Sequence, residues 1–112
     1  MKFGSLINTI LRQEKKRGMI NLILIDNSEM RKLNHKFRKK DKATDVLAFP
    51  MGEEGILGDI AISTEMAKKN AKRFGVACAA ELKRLVIHGV LHLLDYDHGK
   101  EMRHAEETYK KL

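Results

Sequence analysis

The chain has 112 residues, 43% of them hydrophobic, which suits one core; a single domain over residues 1–112 is expected and a two-domain enzyme is not. Twenty-two Lys and Arg stand against 15 Asp and Glu, and the formal charge of +7 favours polyanionic partners and fast encounter with nucleic acid, without assigning one. The lone cysteine, Cys78, excludes an internal disulfide, and no long apolar run follows Met1 to Gly4, so neither a secretory signal nor a membrane span is expected and the protein is placed in the cytosol.

In chain order, Ser5 is positioned to cap a helix with Leu6, Ile7, Ile10 and Leu11 on one stripe, and Gly18 to stop it after Lys15, Lys16 and Arg17. Met19 to Ile25 is apolar except for Asn21, which predicts a strand buried on both faces and central in a sheet, closed by Asp26 and Asn27. Helical spacing returns from Ser28 to Phe37, with Arg31, Lys32, Lys36, Arg38, Lys39, Lys40 and Lys42 outside its apolar stripe. Val46 to Phe49 reads as a short strand ended by Pro50, and Gly52 to Gly55 as a turn into a second strand, Ile56 to Ile62, the two forming a hairpin.

Ser63 or Thr64 then opens a helix that closes at Gly75. A longer helix with few polar residues follows from Ala77 to Leu94, and its first residues, with Cys78 among Val76, Ala77, Ala79 and Ala80, read as core. The last segment, Lys100 to Leu112, reads as a polar helix with Met102 and Ala105 as its main apolar contacts. Irregular alternation of helices and strands, together with a hairpin, predicts an α+β fold with one mixed sheet.

The residues that carry chemistry lie on the longer helix. His88 and His92 are four apart, so they emerge on one face about one turn from each other. Leu82, Leu85, Val86, Ile87, Val90, Leu91, Leu93 and Leu94 make the rest of that helix apolar, and two imidazoles on a buried helix must satisfy their ring nitrogens away from bulk water. Hydrogen bonding to neighbours is the plain explanation for one such His; a pair with His98 six residues on points to a metal ion instead. Three neutral imidazoles leave zinc its full charge and an open position for water, whose pKa falls to about 7. The spacing is also that of the metzincin peptidases, HExxHxxGxxH, but Gly89 stands where those enzymes carry their glutamate base. A glycine inside a helix costs about 1 kcal/mol relative to alanine, so close packing at Gly89 is expected.

HGVLHLLDYDH, from His88 to His98, closely resembles the HGxLHLxGYDH motif of the YbeY family of bacterial metal-dependent endoribonucleases of ribosomal RNA maturation. LNHKFRKKDKATDVLAFP is similar to the family's LNxxYRxxDxPTDVLSFP stretch, and LGDIAIS to its LGDIxIS segment, so these blocks reach from Leu33 to His98. The resemblance implies one zinc ion held by His88, His92 and His98, a functional arginine at Arg38, and single-strand-directed cleavage in maturation of the 3′ end of small-subunit ribosomal RNA and in ribosome quality control. It also implies single-stranded ribosomal RNA and the small ribosomal subunit as partners. A fixed guanidinium at Arg38 suits a phosphodiester.

Several positions depart from the family. Asp95 replaces a glycine, while Ala43 and Ala48 replace a proline and a serine. The chain is short at both ends relative to the family, which predicts the loss of an edge strand. Asp95 is expected to displace His98 slightly or to contact the metal or a basic neighbour, and Asp97 either to orient a metal-bound His or to cap the turn. Asp41, Asp45 and Asp59 are assigned to ordering the basic loop and the sheet edge, and His35 and His104 to the surface. Two other readings remain: a non-catalytic zinc-containing ribosome assembly factor, and a metallopeptidase lacking its usual base.

Overall fold

The computed structural model describes residues 3–97 and 99–112. Along the chain it forms α1 (Gly4–Gln13), β1 (Met19–Ile25), α2 (Asn27–Arg38), β2 (Val46–Pro50), β3 (Ile56–Ser63), α3 (Thr64–Phe74), α4 (Cys78–Leu93) and α5 (Lys100–Lys110). The sheet order is β1-β3-β2: β3 pairs parallel with β1, Leu22 beside Ile60, and antiparallel with β2, Ala48 opposite Ile60. The mixed sheet and the hairpin are therefore as expected, and the fold is α+β.

Because side chains alternate along a strand, β3 serves two layers at once. Ile60 and Ile62 enter a core with Ile7, Ile10, Leu85, Val86, Val90, Leu91 and Met102, which places α1, α4 and α5 on that face. Ala61 points the other way, toward Met30 of α2 and Leu47 of β2. Gly89 sets the depth at which α4 sits on the sheet: a Cβ there would come within 2.8 Å of Ile60 Cγ2, and Ile60 is fully buried. That is the close packing expected of a glycine in mid-helix.

The helix boundaries follow local chemistry. Ser63 accepts a hydrogen bond from the Met66 amide at 3.2 Å and so caps α3, which ends with Gly75 in the left-handed region at φ 66°. Asp26 caps α2 by accepting from the Glu29 amide at 2.9 Å. In α1 the expected Ser5 cap is not used: the helix begins at Gly4, with Phe3 at the capping position and buried against the core stripe. Burial of Phe3 with Ile7, Ile10 and Leu11 on one face outweighs a side-chain cap, typically worth about 1 kcal/mol. That helix also stops at Gln13, well before Gly18, which instead leads into β1.

Two burial expectations are overturned. β1 is an edge strand, with Met19, Ile23 and Leu24 each about half exposed, because β3 takes the central position and α2 covers only part of the outer face. Continuous apolar character does not by itself select the centre of a sheet. Cys78 is exposed at the start of α4 together with Ala79 and Ala80, and the first buried position of that helix is the charged Glu81. Met102 and Ala105 are buried as expected, and Tyr109 joins them on α5. No helix among the described residues is long and apolar enough to cross a membrane.

Candidate active site

On α4 the helical repeat brings His88 and His92 into register, and their Nε2 atoms lie 3.1 Å apart with the rings edge to face at 79°. Two nitrogens bound to one tetrahedral zinc at 2.0–2.1 Å would be about 3.3 Å apart. The pair therefore has nearly the spacing that a shared ion requires. His98, the third expected ligand, lies outside the described residues, and among those described no third His, Cys, Asp or Glu joins the pair.

The far nitrogen of His88 is also engaged. Its Nδ1 is 3.0 Å from Oε1 of Glu106 on α5, with both side chains partly buried. Glu106 did not emerge from the sequence, although a signal was there: Met102, Ala105, Glu106 and Tyr109 share one helical stripe, and a charge within a buried stripe needs a partner.

His88 and His92 open onto a cavity of about 400 Å³, also lined by Arg38, Thr44, Asp45, Val46, Ala48, Pro50 and Gly89. Arg38 is the last residue of α2, and Lys39 behind it adopts a left-handed conformation at φ 58° that turns the chain toward β2. The end of α2 and one face of α4 thus bring Arg38 and two imidazoles to one cleft, from positions 50 residues apart in sequence between Arg38 and His88. Across the loop between them, Arg31 holds Asp41 through two hydrogen bonds of 2.7 and 3.0 Å, and Asn34 donates to the Lys42 carbonyl at 2.8 Å. These contacts order the basic loop, the part foreseen for Asp41.

The cleft wall at Asp45 is braced from behind. Asn70 donates to Asp45 at 3.1 Å and to Glu81 at 2.9 Å, and Arg84 makes two hydrogen bonds of 2.7 Å to the Glu81 carboxylate. Burial works to raise the Glu81 pKa, but the hydrogen bonds from Arg84 and Asn70 and the guanidinium charge outweigh it, so the carboxyl lies below its ordinary value. Arg84 is correspondingly raised, chiefly by its hydrogen bonding to Glu81. Asp59 accepts from Asn21 at 3.0 Å and ties β3 to the edge strand.

Beyond α4 the chain turns through Asp95, which takes the left-handed conformation at φ 69° in the glycine's place and exposes its side chain; Asp97 is exposed too. Tyr96 anchors this turn by donating its hydroxyl to Glu14 at 2.8 Å, and Tyr109 donates to the other oxygen of the same carboxylate. Hydrogen bonding to Glu14 raises the Tyr96 pKa, and burial followed by the same contact raises that of Tyr109. His35 and His104 lie on the surface, as expected.

A family model described as Endoribonuclease YbeY matches residues 2–111. Among curated relatives carrying that name, one from Aquifex aeolicus is 49% identical over 85 residues, covering 72% of this chain and 57% of the relative. Another, from Koribacter versatilis, is 43% identical over 96 residues, covering 86% of this chain and 63% of the relative. The chain thus spans about three-fifths of the length of these relatives. The solution structure of TM1509 from Thermotoga maritima is similar with a TM-score of 0.73 at 35% identity, over 96% of this chain and 75% of that one.

Proposed function

This chain belongs to the endoribonuclease YbeY family, and from that premise we propose that it is a metal-dependent endoribonuclease cutting single-stranded RNA in the maturation of small-subunit ribosomal RNA. In this reading residues 1–112 act as one hydrolase domain in the cytoplasm, with the small ribosomal subunit as partner. His88, His92 and His98 hold one zinc ion. The supporting observation is the convergence of the His88 and His92 Nε2 atoms at the wall of a cleft that Arg38 also lines.

A zinc ion held there supplies Lewis acidity at the phosphorus centre and lets water act as a nucleophile near neutral pH. The protein supplies position. Arg38 presents a planar fork of donors that holds two phosphate oxygens at once and offsets the charge that builds as the phosphodiester is attacked. His88 and His92 are fixed by their common helix, and Gly89 between them lets that helix seat closely against Ile60 of the sheet. A peptidase mechanism is disfavoured by the same glycine: a glutamate at that position would have to displace the buried Ile60.

The test is cleavage of a labelled single-stranded RNA by purified protein, with and without a chelator. Cleavage is expected to stop on chelation and return with added zinc, and Arg38→Ala is expected to weaken it while zinc stays bound. Absence of any metal-dependent cleavage would favour the assembly-factor reading.

A further inference from the structure

We propose that Glu106 is a positioning residue for the histidine pair: by accepting a hydrogen bond from Nδ1 of His88, it holds that ring in the tautomer whose Nε2 lone pair faces the metal site. The inference rests on the metal-dependent reading above and adds to it a residue outside the ligand motif.

The geometry supports it at three points. Oε1 of Glu106 is 3.0 Å from Nδ1 of His88, and a carboxylate can only accept there, so the Nδ1 proton is the one retained. With Nδ1 protonated, a neutral imidazole carries its lone pair on Nε2, the atom that lies 3.1 Å from Nε2 of His92. Finally, the contact spans two helices. Glu106 is one turn beyond Met102 on α5, and Met102 and Ala105 pack into the same core as Leu85 and Leu91 of α4, so the carboxylate is carried by a buried helix face.

A carboxylate on the remote nitrogen of a metal-ligating histidine fixes ring orientation and raises ligand basicity, and its loss typically costs about 10–100-fold in metal affinity. Zinc-loaded protein would be titrated with a chromophoric chelator to compare wild type with Glu106→Ala, the isosteric Glu106→Gln, and Glu107→Ala, an exposed neighbour that removes the same charge. Glu106→Ala should release zinc at about 10–100-fold lower chelator concentration, Glu106→Gln should show a smaller part of that loss, and Glu107→Ala should match wild type. Long-range proton–nitrogen NMR of the zinc-loaded wild type should show His88 protonated at Nδ1.

Equal zinc retention in Glu106→Ala, Glu106→Gln and wild type, or protonation of His88 at Nε2, would overturn the proposal while leaving the metal site intact. A role limited to docking α5 would lower the melting temperature of both variants without moving zinc affinity, and that result also overturns it. A wild type that holds no zinc removes the metal-dependent reading and this inference together.

Discussion

The two halves of α4 bury polar groups in opposite ways. Near its start, Glu81 is 1% exposed and both of its oxygens are taken up by protein donors, Arg84 and Asn70. Near its end, His88 and His92 bring their Nε2 atoms to 3.1 Å from each other at the wall of a cleft, close to the separation of two nitrogens on one ion. One end is enclosed within the fold, and the other lines a cleft. An enclosed charge network serves stability and specificity; imidazoles that converge at a cavity wall are a candidate for chemistry.

Substitutions at the two ends should separate these roles. His88→Ala is expected to reduce zinc retention and RNA cleavage by more than about hundredfold, beyond the cost of losing an outer partner, while the zinc-free protein loses only about 1 kcal/mol as Glu106 gives up its hydrogen bond. Wild-type cleavage by that variant would break the comparison. Glu81→Ala should behave in reverse, losing about 2–3 kcal/mol of stability in urea unfolding, because Asn70 and Arg84 lose charge-assisted hydrogen bonds. The estimate is kept low because the Arg84 side chain is 39% exposed and can recover water.

Glu81 also gives the comparison a pH signature. Its folded pKa lies below the ordinary 4.5, so its stabilisation is complete above that value and is lost as the pH falls through the folded pKa. Acid unfolding should therefore be shallower in Glu81→Ala than in wild type, and identical acid profiles would show that the cluster contributes nothing.

At the boundary between the halves, Gly89→Ala gains about 1 kcal/mol of helix propensity but drives a methyl into Ile60, an overpacking worth roughly 1–3 kcal/mol. A net loss of about 1 kcal/mol, with cleavage reduced as the histidines shift away from Arg38, is expected; a stabilised variant would show that the helix can lift freely off the sheet. The smallest effect belongs to Asp95→Gly. Relief of the left-handed backbone should raise the unfolding free energy by roughly 0.5 kcal/mol, since aspartate tolerates that conformation better than most residues. Destabilisation instead would reveal a role for the exposed carboxylate.

Much of the site was legible because helical geometry is local. The i, i+4 pair, the need for close packing at Gly89 and the Ser63 cap each follow from a few neighbouring residues. Other features depend on which faces meet in three dimensions. Nothing in Met19–Ile25 says that β3 would claim the sheet centre, and nothing in the alanine-rich stretch around Cys78 says that it would stay exposed. Glu14 is remote in sequence from the tyrosines it binds, and Glu106 from the histidine it faces.

By itself, the sequence determined the mixed α+β class, the phase of His88 and His92 on one helix face, and family membership, because each is written in short-range spacing or in motif identity. Tertiary structure decided that Arg38 shares their cleft, that Glu106 meets Nδ1 of His88, and that α4 divides into a closed end and an open one. Those outcomes depend on how α2, α4 and α5 dock on the sheet, which is set by the summed burial of all their apolar faces rather than by any local run of residues.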